Sequence, residues 1–275
     1  MTKPSMYDTH YSEMDADVYH AIRAETYGED LGQTSWITAA ECDEFCRWLG
    51  LVPGKRVLEI ACGSGGVALR MARLGGAEVV GTDINPSGIA AASARAKAVG
   101  LQDRARFQEV NADETLPFAD GSFDVVFCND ALNHLHDRPH ALSEWHRVLR
   151  PGGRCLYTDP VVLTGWITKD ELAARSSIGS FLFTCAGVNE TLLRAAGLRV
   201  LLTADCTQNM ADNSGRWHAA RERNQGPLRQ LESDEAFAKM QEFLGTVNRL
   251  SSERRLSRWA FMAEREICPH NDRAG

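Results

Sequence analysis

Three stretches of the chain put acids, glycines or a histidine where chemistry can occur. The run CNDALNHLHD (128–137) packs two histidines, two aspartates and a cysteine into ten residues at the end of an apolar segment. Such a set suits a metal site, a nucleophile with its base, or the rim of a pocket built for something else. His136 and His140 are four apart, as on one helical face, and Asp137 and His146 lie close by. No HExxH pattern or thiolate partner accompanies them, so they read as solvated polar-face residues and no metal is expected. His134 is the residue of this run suited to take a proton near neutral pH. A second stretch, VLEIACGSGG (57–66), ends an apolar run in Glu59 and then turns through Gly63, Gly65 and Gly66. Small residues there let backbone approach a ligand, and the N–H groups of a following helix can face it. The third, EVVGTDI (78–84), closes on Asp83, 24 residues after Glu59, where a carboxylate can accept from both hydroxyls of a ribose.

These residues need a scaffold that gathers strand ends, and the patterning supplies one. Strand-like runs RVLEIA (56–61), EVVGTDI (78–84), ARFQEVNA (105–112), FDVVFCN (123–129) and RCLYTDPV (154–161) alternate with helical stretches. Pro86 suits a first helical turn, and Gly100 suits a helix end. Such alternation implies right-handed βαβ crossovers and an α/β fold whose parallel sheet is covered on both faces. After Val161 about 25 residues intervene before the helical NETLLRAAG (189–197) and the strand-like RVLLTADC (199–206). Residues 207–257 read as helical, with Ser233 as an N-cap, before a last strand at 258–267. Fifty helical residues are too many for a connection, so they are expected to cap the sheet's carboxyl edge. The implied organisation is an N-terminal helical segment over 1–50 closing the site, then one domain over 51–275 that includes the cap.

The spacing E-x-A-x-G-x-G from Glu59 resembles motif I of class I S-adenosylmethionine-dependent methyltransferases, with Ala61 in place of the first glycine. GTDIN (81–85), NADETLPFADGSFDVVFCNDALNHL (111–135) and WHRVLRPGGRCLYTD (145–159) follow in the order of that family. The resemblance covers roughly residues 36–206. It implies a Rossmann-like, seven-stranded, mostly parallel sheet with the last strand antiparallel, helices on both faces and a helical substrate cap. It also implies S-adenosyl-L-methionine as cofactor, with S-adenosyl-L-homocysteine as product. The cofactor would be held by Gln33, Glu59, Ala61, Gly63, Gly65, Asp83, Ile84, Ala112, Asp113 and Asn129. Asp83 would meet the ribose, Ile84 and Asp113 the adenine, and Asn129 the methionine part. YGEDLGQTSW (27–36) with DALNH (130–134) is similar to small-molecule N-methyltransferases of the phosphoethanolamine and glycine/sarcosine type. In the former group a D-A-x-x-H histidine works with a tyrosine from the N-terminal helices. The resemblance thus makes His134 catalytic, with Tyr19 or Tyr11 as its partner. An amine nitrogen is the expected acceptor, with O- or C-methylation of a phenolic, quinone-like or natural-product acceptor as the alternative.

Charge and composition bound the partners. Residues 1–50 carry ten acids against three basic residues, which accounts for the whole net charge of −7. An acidic face does not suit nucleic acid, whose phosphates need a basic stripe. No run of 18 apolar residues exists, so no membrane span is expected, and the polar, acidic N-terminus makes the cytoplasm the expected compartment; a monomer or homodimer is expected. Eight scattered cysteines without a CxxC pair read as reduced thiols. Trp36, Trp166 and Trp217 are candidates for a wall against an ammonium group, or for packing. Two further functions use a similar sheet: a cofactor-binding protein without turnover, and an NAD-dependent oxidoreductase. The second fits poorly, because Ala61-Cys62-Gly63-Ser64-Gly65-Gly66 departs from the glycine spacing that cradles a pyrophosphate.

Overall fold

The strand-like runs become strands within three residues of their expected ends, except that the fifth begins five residues early, in the computed structural model, which describes residues 16–267. In chain order they are β1 (Arg56–Ile60), β2 (Glu78–Asp83), β3 (Ala105–Glu109), β4 (Phe123–Cys128), β5 (Leu149–Leu163), β6 (Thr184–Cys185), β7 (Leu198–Asp205) and β8 (Leu256–Arg265). The sheet order is β3-β2-β1-β4-β5-β8-β7, with β6 added as a two-residue pairing on β5. β1 through β5 are parallel, with Val57 opposite Val79 on one side and Val125 on the other. β8 runs antiparallel between β5 and β7. The short β6 makes eight strands where seven were expected. β4 is FDVVFC with every residue buried, as a central strand covered on both faces must be.

Helices α1 (Asp17–Tyr27) and α2 (Ala39–Leu49) precede the sheet; α3 (Gly66–Gly75), α4 (Pro86–Ala98), α5 (Arg138–Val148) and α7 (Val188–Ala195) cover it. Pro86 does sit in the first turn of α4, where its missing N–H costs nothing, and Asn85 caps that helix by accepting from Ser87 and Gly88 N–H. One apolar layer joins Phe45 and Cys46 of α2 with Met71 of α3 and the β1, β2 and β4 side chains. The opposite face packs Leu142 and Trp145 of α5 against Val126, Cys155 and Tyr157.

The cap comprises α8 (Thr207–Arg223), α9 (Gln225–Leu231) and α10 (Asp234–Ser252), and Ser233 Oγ accepts from Ala236 N–H at the start of α10. Met210, Trp217, Phe243, Leu244, Val247 and Leu250 from this layer share a core with Tyr19, Ile22 and Tyr27 of α1. The N-terminal helix and the cap therefore pack as one unit. A feature absent from the sequence reading lies between β5 and α7. Helix α6 (Lys169–Arg175) starts at a Thr168 capping box, in which Thr168 Oγ1 accepts from Glu171 N–H and the Glu171 carboxylate accepts from Thr168 N–H. Glu171 also pairs with Arg249 of α10 and Arg255, which clamps α6 to the cap.

Candidate active site

The carboxyl ends of β1, β2 and β4 open into one cleft, which encloses ≈ 360 Å³ beneath the cap. Glu59, Ala61, Gly63, Asp83, Ile84, Ala112, Asp113, Asn129, Gln33 and His134 all line it. The glycine turn after β1 closes tightly: Cys62 N–H donates to Thr82 O at 2.9 Å, and Gly65 N–H to Cys62 O at 2.9 Å. Ala61 stands at φ +55°, in the left-handed region that glycine takes at little cost and alanine does not. Gly65 is not part of the lining. A Cβ there would meet the Phe107 ring at 2.7 Å and Ala92 Cβ at 2.8 Å, so this glycine serves helix-on-sheet packing.

The acids of the cleft differ in what already satisfies them. Asp83 Oδ2 accepts from Gly63 N–H and Oδ1 from Asn85 N–H, both at 2.8 Å. Burial nonetheless holds its pKa above the usual carboxylate value. Glu59 is 3 % exposed, and its Oε2 has no hydrogen-bond partner. Burial, then the neighbouring Asp83 charge, push its pKa up to about 8. Asp113 receives His136 twice, from the backbone N–H at 2.7 Å and Nδ1 at 2.8 Å. These bonds outweigh its partial burial and hold its pKa low. Asp137 caps α5 by accepting from His140 N–H. Among the described residues no group of three or more His, Cys, Asp or Glu side chains is placed to hold a metal ion.

A strap over residues 28–37 roofs the glycine turn. Leu31 crosses α3 so closely that a Cβ on Gly66 would lie 1.7 Å from the Leu31 carbonyl oxygen. Ser64 Oγ donates to Gly32 O at 3.0 Å, and Arg95 Nη1 to Leu31 O at 3.0 Å. Gln33 faces the cleft, but its amide braces the strap: Oε1 accepts from Leu31 N–H at 2.7 Å and Nε2 donates to Glu29 O at 3.2 Å. Farther along, Trp36 N–H donates to Asp130 Oδ2 at 3.0 Å, and Asn129 Nδ2 donates to Ser35 Oγ at 2.7 Å.

Beyond Asn129 the cleft turns aromatic, lined by Trp36, Phe181, Trp217, Met240 and Phe243 with His134 and Arg175. His134 forms part of a 3₁₀ turn, with its ring 4.8 Å from that of Phe181. Its Nδ1 lies 3.1 Å from Ser180 O. A carbonyl oxygen can only accept, so Nδ1 carries the proton and Nε2 is the basic nitrogen of the neutral ring. Burial is the largest influence on this ring and, with the Arg175 charge, lowers its pKa below 6.5. Arg175 is 1 % exposed, with its guanidinium 4.2 Å from the Phe181 centroid and 4.8 Å from that of Phe243. Leu182 pins this wall, donating its N–H to Asn133 O and accepting from Arg138 Nη2.

Among the described residues no tyrosine lines this wall. Tyr19 is buried among α1 and cap side chains and does not line the cleft, while Tyr11 lies outside the described residues. Tyr27 is also buried, and its hydroxyl donates to Ser35 O at 2.7 Å. Trp166 is 77 % exposed and takes no part. Reading the sequence missed Arg175, Phe181 and the buried Arg258 behind Asn129. The Thr168-x-x-Glu171 capping signature announced α6, whereas nothing in the sequence marked Arg175 as buried.

Comparison with known proteins agrees with this geometry. Residues 58–157, from β1 into β5, match the family model described as a methyltransferase domain. A 27-O-demethylrifamycin SV methyltransferase of Amycolatopsis mediterranei is 30 % identical over 249 residues, which is 86 % of this chain and 90 % of that protein. Among solved structures, the Haemonchus contortus phosphoethanolamine N-methyltransferase 2 in complex with phosphomonomethylethanolamine and S-adenosylhomocysteine superposes with a TM-score of 0.80 at 20 % identity, covering 96 % of this chain and 61 % of that one. The [4+2]-cyclase SpnF superposes with a TM-score of 0.77 at 23 % identity, covering 96 % and 94 %. At those identities the two structures speak for the fold alone, while the longer sequence match, the domain model and the glycine turn agree on the activity. The chain belongs to the class I S-adenosylmethionine-dependent methyltransferases.

Proposed function

We propose that this methyltransferase alkylates an oxygen of an apolar, ring-bearing small molecule, with His134 receiving the hydroxyl proton. The observation that carries this reading is the charge of the acceptor end. Among the described residues there, one buried cation, Arg175, stands beside a neutral histidine and aromatic walls. Asp130, whose charge acts on His134, already accepts from Arg258 Nε at 2.7 Å. A protonated amine would enter next to a like charge, and Arg175 already lies over the Phe181 and Phe243 rings that would otherwise attract it. A hydroxyl brings no charge, and the negative charge it develops as it attacks is stabilised by the same guanidinium. The name of the Amycolatopsis relative also specifies an oxygen acceptor.

What the walls leave unsatisfied supports one placement of the cofactor. Glu59 Oε2, buried without a partner, fits an ammonium group, and the small residues Ala61 and Gly63 leave room for the chain that bears it. Asp83 retains lone pairs for ribose hydroxyls, and Ile84, 63 % exposed, offers an apolar face to adenine beside Asp113 and Ala112. When bound, S-adenosylmethionine supplies a methyl group on a cationic sulfur. The protein's task is to align the attacking oxygen opposite that sulfur and exclude water, which accounts for much of the rate of an in-line displacement. His134 Nε2 would take the hydroxyl proton as the acceptor oxygen gains the methyl group that bound S-adenosylmethionine would supply, its sulfur leaving as the thioether of S-adenosylhomocysteine. Turnover of a panel of phenols, hydroxylated macrocycles, ethanolamine phosphate and glycine, read by mass spectrometry, tests the assignment. Methylation confined to the amines would overturn it.

A further inference from the structure

Arg258 lies on β8, a strand that contributes nothing to the cleft lining, and is 0 % exposed. Its guanidinium reaches three acceptors at once: Asp130 Oδ1 at 2.7 Å through Nε, Glu41 Oε1 at 2.7 Å through Nη1, and Asn129 Oδ1 at 3.1 Å through Nη2. Burial opposes its charge, but Asp130 and Glu41 outweigh burial and keep it cationic.

Each acceptor on the cleft side has a second face turned to the strap. With Oδ1 of Asn129 held by Arg258, the amide can only present Nδ2 to Ser35 Oγ, where it donates at 2.7 Å. With Oδ1 of Asp130 held by Arg258 and Thr158 Oγ1, the carboxylate presents Oδ2 to Trp36 N–H. Asp130 itself stands at φ +53°, a conformation that persists only where surrounding bonds over-determine it. Thr158 contributes one of these by accepting from Asp130 N–H at 2.8 Å. The two ties at Ser35 and Trp36 thus depend on one guanidinium whose planar fork supplies all three directions.

We infer that Arg258 is a positioning residue for methyl transfer: acting through Asn129 and Asp130, it fastens the 28–37 strap over the cofactor and sets Trp36 in the acceptor wall. The inference rests on the cofactor placement proposed above, although the fastening itself exists without any ligand. A lysine at this position keeps the charge but not the fork, so R258K separates the geometry from the burial of an ion.

Two measurements on the full chain test it. In hydrogen–deuterium exchange without ligand, R258K should lose protection at the Trp36 amide and neighbouring strap amides, while β1, β4 and β5 amides keep theirs. In calorimetry, its S-adenosylhomocysteine affinity should fall about tenfold or more, as expected when charge-assisted hydrogen bonds are lost. S35A should cost about fivefold in the wild type and nothing further in R258K, because the tie it removes is already open. If R258K does not fold, the charge-neutral E41Q/D130N/R258M chain buries no unpaired ion and takes its place in both measurements. Wild-type exchange at Trp36 overturns the inference, as do strap opening with unchanged S-adenosylhomocysteine affinity and additive losses in S35A/R258K. Failure of the wild type to bind S-adenosylhomocysteine would instead refute the cofactor placement, so the two readings fail separately.

Discussion

With Glu59 assigned to the cofactor's ammonium as proposed, cofactor binding becomes a proton-release reaction. In the free protein its carboxyl, buried beside Asp83, has a pKa of about 8 against an ordinary 4.5, so it is roughly nine-tenths protonated at pH 7. An ammonium group at Oε2 favours the carboxylate, and the proton must leave as the ligand enters. Apparent affinity for S-adenosylhomocysteine should therefore rise with pH, by close to tenfold per unit well below pH 8, and level off above it. From pH 6 to pH 8 the gain is about fiftyfold, or roughly 2.3 kcal/mol. Calorimetry at pH 7 in buffers of different ionisation enthalpy should report about 0.9 proton released. E59Q should abolish both the slope and the released proton, and should weaken binding at pH 8 by about 10–100-fold through the lost charged contact.

The same substitution should stabilise the free protein at high pH. The folded state holds the Glu59 proton between pH 4.5 and about 8, where the unfolded chain has lost it. Stability of the wild type therefore falls as pH rises through that window, by an amount on the order of 5 kcal/mol at its upper end. Glutamine removes that loss, so E59Q should melt higher than wild type at pH 8 and no higher at pH 5. A wild-type affinity that is flat between pH 6 and 8, or an E59Q chain that keeps the slope, would refute the assignment of Glu59 to the ammonium.

Replacing His134 by alanine should lower kcat by about 10²–10⁴-fold with S-adenosylhomocysteine affinity nearly unchanged. Because burial lowers its pKa, wild-type turnover should fall only as pH drops below 6.5, and that acid limb should vanish in H134A. Ala61→Gly should relieve the left-handed backbone at φ +55°, with a net gain of about 0.5–1 kcal/mol that appears as a rise of about 2 °C in Tm; a fall would contradict the strain at this turn. Gly66→Ala should push Leu31 and the strap off α3, reducing turnover on the order of 10²-fold while circular dichroism stays native; unimpaired kinetics would show that the strap tolerates the shift.

What the sequence disclosed about the fold was whatever local pattern controls. β4 is apolar throughout, Pro86 and Ser233 stand at helix starts, and the glycine turn follows its strand directly. Each is decided by residues within a few positions of one another. The site was legible where one residue type at a strand end suffices, as with Glu59, Asp83 and Asn129 in the cleft lining. It was illegible where a residue acts from a distance in sequence. Arg258 meets Asn129 and Asp130 across almost half the chain, and no spacing rule connects them. Tyr19 fails in the opposite way: it stands on the N-terminal helix where a site tyrosine was expected, but helical periodicity turns it into the cap core with Ile22. Arg175 was hidden because a lone arginine reads as a surface residue, whereas its guanidinium lies over the stacked Phe181 and Phe243 rings.

The acids at this sheet edge show why residue type alone cannot divide cofactor from substrate. Asp83 is held by two backbone N–H groups, Asp113 by His136, Asp130 by Arg258, and Asp159 by Arg138, Thr184 and Asn189. Four of these five carboxylates therefore carry enough partners to lose their appeal to a second cation, and Glu59 with its bare Oε2 is the exception. On the proposed reading, charge complementarity sends a cationic ligand to the glycine turn and leaves the far end, with Arg175 in its wall, to an acceptor that brings no positive charge. The two compartments meet at Asn129 and Asp130, the same pair that Arg258 holds for the strap. On the proposed reading, pairing Asp130 with Arg258 keeps the acceptor end from competing for the cofactor's ammonium, so that one buried ion pair would serve both the closure of the site and its polarity.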